Sequence, residues 1–195
     1  MNTHSDKAAL ALPIVTLVAA AGWATAARAE ALFVDVTAAS GLEFVHFNGM
    51  SGKLYFPEMM GSGVALFVFV GDDDLDVYLV QGQMLGDAGV ATATLPPPAE
   101  PPLTDRLFRN DGPDGDGVPR FTDVTGAAGL AATGYGMGVA AGDYDGDGHV
   151  DLDVTNFGPN QLWRNLGNGR FEDVTAPAGA ADDRWGVSAA WVDYD

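Results

Sequence analysis

The sequence predicts an all-β fold assembled from one repeated unit of short strands, and three observations carry that prediction. The block Phe121-Thr122-Asp123-Val124-Thr125 returns as Phe171-Glu172-Asp173-Val174-Thr175, and Asp143-Tyr144-Asp145 returns as Asp193-Tyr194-Asp195, both at an interval of 50 residues. Short alternating segments are separated by Gly-, Asn- and Asp-rich turns every roughly 8–12 residues, the rhythm of sheet proteins. Beyond the N-terminal segment, no window carries the period of a long amphipathic helix. A repeat of about 50 residues belongs to propeller blades or β-solenoids.

The elements follow in chain order. Residues 1–29 read as a signal peptide: a short polar start with Lys7, an apolar stretch over 8–21, and Ala27-Arg28-Ala29 with small residues where a signal peptidase cuts. The apolar stretch is Ala-rich, holds Pro13, and falls short of the roughly 20 apolar residues that span a bilayer, so no membrane span is expected after cleavage. The repeat region then covers 30–195. Its loose first copy opens with Phe33-Val34-Asp35-Val36-Thr37 and Gly61-Ser62-Gly63-Val64-Ala65, which matches Gly136-Met137-Gly138-Val139-Ala140. Phe67 to Val70 is expected to extend a core strand. Residues 88–104, with a Pro-rich centre, cannot lie inside a sheet and are expected to form an extended, mobile surface insertion.

The clearest copy runs from a small-residue strand at 138–142 into the acidic loop 143–151, then an alternating strand at 152–156 and a short one at 161–164. Leu166-Gly167-Asn168-Gly169 makes a hairpin turn, and a strand over 170–175 closes the unit. Leu107-Phe108-Arg109-Asn110 corresponds to Leu162-Trp163-Arg164-Asn165, with a longer acidic turn at 111–117 following the first copy. That turn is read as a flexible acidic tip rather than a second cation site. Because Asp195 falls inside the third loop, the sequence is read as the front part of a longer repeat array.

Composition narrows the function. Asp and Glu number 27 against 9 Lys and Arg, a formal net charge of −18, which repels phosphate backbones and argues against nucleic-acid partners. Cysteine is absent, which removes disulfides, zinc–thiolate sites and cysteine nucleophiles together. A loop-rich extracytoplasmic protein without disulfides needs another staple, and a divalent metal suits this charge.

The loop 143–151 sets Asp143, Asp145, Asp147 and Asp151 at positions 1, 3, 5 and 9, with Gly148 at the sharp turn and the backbone carbonyl of His149 as a further oxygen. Calcium takes six to eight oxygen ligands, and carboxylates at alternate positions of a coiled loop can converge on one. An EF-hand is excluded, since position 12 is Val154 and the flanks are strand-like. Magnesium asks for tighter octahedral geometry, and zinc prefers side-chain nitrogen and sulfur. In the third loop Asp193 and Asp195 form half a ligand set. In the first, Asp72 and Asp76 hold positions 5 and 9, but Val68 and Val70 replace two carboxylates and Asp73 replaces the glycine, so weak or no calcium binding is expected.

These loops and strands resemble the FG-GAP (VCBS-type) repeats of integrin α-chain propellers. The blocks 44–49, 55–65, 75–78 and 107–110 are similar to the cartilage-acidic-protein-like family, in which FG-GAP repeats precede an ASPIC/UnbV domain. The resemblance spans about 33–195 and implies a partial β-propeller, calcium in the blade loops, and a secreted, periplasmic or cell-surface location.

Sharper site readings are weaker than plain ones. His46 and Glu58 lack an accompanying nucleophile or oxyanion motif, so structural polar roles are expected. Trp163, Trp185 and Trp191 recur in repeat register, which favours packing over sugar stacking. Arg109 and Arg164 are expected in ion pairs or backbone contacts within their repeats. The functional expectation is a non-enzymatic, calcium-stabilised module that binds an extracellular protein or glycan. The alternative is the scaffold of a secreted enzyme whose catalytic part lies outside this fragment.

Overall fold

The computed structural model describes residues 33–193. The segment read as a signal peptide and Asp195 lie outside the described residues. Everything below belongs to the compact unit Asp35–Asp195.

Two four-stranded antiparallel meanders make up the unit. The first holds β1 (Val64–Phe67), β2 (Asp76–Leu79), β3 (Arg106–Pro113) and β4 (Pro119–Asp123). The second holds β5 (Gly136–Gly142), β6 (Asp151–Asn156), β7 (Gly158–Asn165) and β8 (Phe171–Asp173). Within the second sheet, Val139 faces Val154 across β5 and β6, and Leu152 faces Trp163 across β6 and β7. The expected all-β class is thus seen as two separate sheets, without a closed barrel. Among the described residues no helix is long and apolar enough to cross a membrane.

Single helical turns join the units: α1 (Thr37–Ser40), α2 (Thr125–Ala128) and α3 (Thr175–Ala178). The Phe-x-Asp-Val-Thr block explains them. Asp123 and Asp173 each accept the amide and hydroxyl of the threonine two residues on, at 2.5–3.0 Å. Those same threonine hydroxyls accept the amides of Leu107 and Leu162, at 2.9 Å in each copy. One short motif therefore ends a strand, starts a turn, and pins that turn to its own sheet. The closing strand expected over 170–175 accordingly stops at Asp173, because Thr175 is already committed to α3.

The sheets pack face to face. Phe67, Phe69, Tyr78 and Leu107 of the first unit meet Leu152, Val154, Trp163 and Phe171 of the second in one buried cluster. Phe69 stacks on Phe171 with ring centroids 5.4 Å apart, and Phe67 meets the same ring edge-on. Burying such side chains is worth roughly 1.5–3 kcal/mol each, so this contact is the main source of cohesion between the units. The small residues of β1 and β5 have a steric reason. A Cβ on Gly63 would lie 2.7 Å from the Cα of Gly138, and one on Gly138 would lie 2.7 Å from the carbonyl oxygen of Val187. β5 is therefore flanked closely on both sides, by β1 and by the extended segment after Trp185.

One expectation meets a different outcome here, and a second gains detail. Phe67 to Val70 does not extend a strand: β1 ends at Phe67, and the Phe69 amide donates to Asp76 instead of to a neighbouring strand. Residues 88–104 contain a short 3-10 turn at Val90–Thr92 and are tied to the body: Thr94 donates to the Met50 carbonyl, and Leu103 is buried.

Candidate metal centre

The connection from β5 to β6 carries the acidic loop, and its backbone is shaped by its own carboxylates. Asp143 accepts the amides of Gly146, Asp147 and Gly148 at 2.8–3.1 Å, which winds the loop around its side chain. Gly146 and Gly148 take positive φ, +75° and +87°, where a side chain is disfavoured. Asp151, fully buried at the start of β6, accepts the Tyr144 amide at 2.8 Å and the Asn165 amide at 2.7 Å. It therefore ties the loop's entry to β7, and its burial raises its carboxyl above the ordinary range.

Asp143, Asp145 and Asp151 each bring one carboxylate oxygen to within 4.8 Å of the others. Asp147 points its oxygens elsewhere: one accepts the His149 amide at 3.0 Å, the other Arg164 Nη2 at 3.0 Å. Those two contacts, the amide first, lower its carboxyl. The ring of His149 lies over Gly167 in the β7–β8 turn, where a Cβ would come within 2.1 Å of it. Arg164 also sets its Nε 2.7 Å from Asp145 Oδ2, but the N–H is not aimed at that oxygen, so the contact is an ion pair without a hydrogen bond.

Residues 143–195 match the model of an FG-GAP-like repeat. The match runs from the acidic loop through β6, β7 and β8, so it covers three of the second sheet's four strands and this cluster. Comparison with curated proteins gives no match.

The donor set fits a hard cation. Three carboxylates contribute oxygen only, and no His or Cys ligand joins them in that cluster. A divalent ion held by Asp143, Asp145 and Asp151 would neutralise repulsion between acidic groups brought together by the loop.

The equivalent loop of the first unit is built alike but lined differently. Gly71 and Asp73 repeat the positive φ values, +74° and +65°. Asp76, fully buried, accepts the Phe69 amide at 2.6 Å and the Asn110 amide at 2.8 Å, matching Asp151 contact for contact. Asp72 accepts the amide of Asp74. Arg109, with Val70 where Arg164 meets Asp145, pairs instead with Asp111 on its own hairpin. In the long turn that follows, Asp114 accepts the Asp116 and Val118 amides and pairs with Arg120. Asp193 stands at the start of the third loop.

The remaining candidates have structural partners. His46 Nδ1 lies 3.1 Å from the Ser62 hydroxyl, and Glu58 accepts the Ser51 amide and hydroxyl. Trp163 is core, Trp191 donates to the Ala140 carbonyl, and half-exposed Trp185 sits edge-on between Phe56 and Phe157. A cleft of about 860 Å³, lined by Phe44, Gln81, Leu103 and Arg106 among others, shares no residue with the acidic loop.

One buried group has no motif to announce it. Asp105 accepts the Tyr78 hydroxyl at 2.6 Å and the Gln81 amide at 2.7 Å, and burial pushes its carboxyl up to about 7. At the corresponding place in the second unit, Asn160 accepts the Asn156 amide at 3.1 Å. The exchange of Asp for Asn was the available signal.

Proposed function

We propose that this chain is a secreted or periplasmic calcium-binding repeat module of propeller type, serving as a non-catalytic binder of an extracellular protein or glycan. The convergence of Asp143, Asp145 and Asp151 in the loop that opens the FG-GAP-like repeat is the observation that carries the metal assignment. Calcium suits the all-oxygen donors and the glycine-bearing loop, with the His149 carbonyl and Asp147 as additional oxygens. Bound calcium would stiffen the β5–β6 connection and, through Asp151 and Asn165, the seam between β6 and β7.

Residues 1–29, the absence of cysteine and the charge of −18 support an extracytoplasmic site and disfavour nucleic acid. The wider similarity over 33–195 to the cartilage-acidic-protein-like family belongs to the same proposal. A non-catalytic role accords with the structural bonds of His46 and Glu58.

Calorimetric titration with calcium tests the assignment on the full chain and on Asp143→Asn and Asp145→Asn. The expected outcome is a binding isotherm for the wild type and at least tenfold weaker binding for each variant. Free calcium at about 100 times its Kd should add roughly 2.7 kcal/mol of stability. Equal isotherms in all three proteins, or none in the wild type, would remove calcium from this loop.

A further inference from the structure

We infer that Arg164 is the resident cation of the metal-free loop, and that it must release Asp145 when a divalent ion enters. The inference rests on the calcium reading above and concerns what regulates that site.

Three observations meet at this side chain. Asp143 and Asp151 are held in place by backbone amides, whereas Asp145, the third member of the converging cluster, is held by Arg164. The guanidinium spans two carboxylates at once, Asp145 through Nε and Asp147 through Nη2, at 2.7 and 3.0 Å. Its Nε is buried yet donates no aligned hydrogen bond, so charge rather than hydrogen-bond geometry keeps it beside Asp145. A carboxylate oxygen engaged by a guanidinium is a poorer ligand, and a dication a few ångströms away repels the arginine.

The first unit supplies the internal control. Arg109 occupies the corresponding place after Phe108 on β3, but Val70 stands where Arg164 meets Asp145, and although Asp72 matches Asp147, Arg109 turns to Asp111. Both loops carry four aspartates, so the arginine turns to its loop only where the third position holds one, Asp145 rather than Val70. It caps the charge of 143–151 in low calcium and swings from Asp145 when calcium replaces it. This sets a threshold on metal binding: the ion competes with a tethered cation whose effective concentration is fixed by the fold.

The test compares the full chain with Arg164→Gln, Arg164→Lys and Arg109→Gln by calcium calorimetry and by thermal unfolding with and without the metal. Arg164→Gln should bind calcium about tenfold more tightly, the range expected when a partly exposed competing charge is removed. Its metal-free melting point should fall, while its calcium-saturated one matches the wild type. Arg164→Lys should stay close to the wild type in Kd, and Arg109→Gln should leave Kd unchanged. Wild-type calcium binding with an unchanged or weaker Kd in Arg164→Gln would overturn the competition and leave the metal site standing. No isotherm in any of the four proteins would overturn the metal reading and this inference together.

Discussion

The loops 68–76 and 143–151 follow one backbone course with different side chains, and the difference separates what folds the loop from what gives it chemistry. Both place residues with positive φ at their fourth and sixth positions. Both end on a buried aspartate that accepts one amide from the loop's entry and one from the asparagine of the third strand. What the first loop lacks are the carboxylates at positions 1 and 3, where Val68 and Val70 stand. Its second residue is Phe69, which fills the core against Phe171, whereas Tyr144 in the second loop is partly exposed. The last aspartate is thus a folding device common to both loops. The converging cluster belongs to one of them, built onto the same frame.

The largest effect should come from removing that common device. Asp76→Ala and Asp151→Ala each leave two amides without an acceptor, and an unsatisfied buried donor costs about 1–3 kcal/mol. Urea unfolding without metal should show losses of roughly 2–4 kcal/mol for both variants, alike within error. Calcium should widen the gap for Asp151→Ala alone. A much larger metal-free loss at Asp151 would mean that its chief work is done with the ion, and the two loops would no longer share a frame.

The asparagines extend the comparison across the seam. Asn110 donates to the Leu75 carbonyl of its own loop, at 3.2 Å. Asn165 donates both to Val150 of its own loop and, at 3.0 Å, to Phe69 of the preceding one. The first loop is therefore held from outside by the repeat that carries the converging carboxylates. A cation that stiffens residues 143–151 acts on a neighbour already clamped to the same strand, which is how one site can steady two units.

A second contrast lies at the opposite ends of the strands, where Asp105 of the first unit corresponds to Asn160 of the second. The folded Asp105 titrates at about 7 because burial disfavours its charge, against an ordinary value of 3.8. The folded chain therefore keeps a proton that the unfolded chain has released. The resulting stabilisation is complete below about pH 4 and is lost as the pH rises through about 7, at up to about 1.4 kcal/mol per pH unit. Asp105→Asn, which installs the second unit's residue, should flatten the melting-point profile between pH 5 and 7. A variant profile parallel to the wild type would show that Asp105 is ionised throughout that range and that Tyr78 and Gln81 stabilise its charge.

Much of this was legible in the residues, and the reasons for the rest are specific. The Phe-x-Asp-Val-Thr block could be read because its aspartate and threonine act on amides two residues apart, a local interaction with a fixed spacing. The convergence of Asp143, Asp145 and Asp151 could be read because carboxylates spaced two apart around glycines coil towards one point. Phe67 to Val70 misled, since an apolar run looks like a strand and the amide acceptor that bends it, Asp76, lies seven residues away. The departure of Asp147 from the cluster depends on Arg164, which arrives from a different strand. Asp105 was silent for a similar reason: its partners Tyr78 and Gln81 are 27 and 24 residues distant. Contacts that the chain makes locally leave a pattern; contacts assembled by the sheet leave single residues.

The smallest effect tests the frame at one backbone position. Asp73 and Gly148 hold the same left-handed turn, at φ +65° and +87°. Nothing lies within 4 Å of where a Cβ on Gly148 would sit, so any penalty for a side chain there is in the backbone itself. A left-handed residue with a Cβ costs roughly 1 kcal/mol, less for aspartate, and glycine's looser unfolded state returns part of the gain. Asp73→Gly should therefore stabilise the protein by no more than about 0.5 kcal/mol, measured by urea unfolding. It should also leave the first loop without a calcium response, because Val68 and Val70 still stand where Asp143 and Asp145 supply oxygens. A calcium-dependent gain from Asp73→Gly, measured with Asp145→Asn to silence the second loop, would mean that turn geometry and not the placement of carboxylates at positions 1 and 3 separates the two loops.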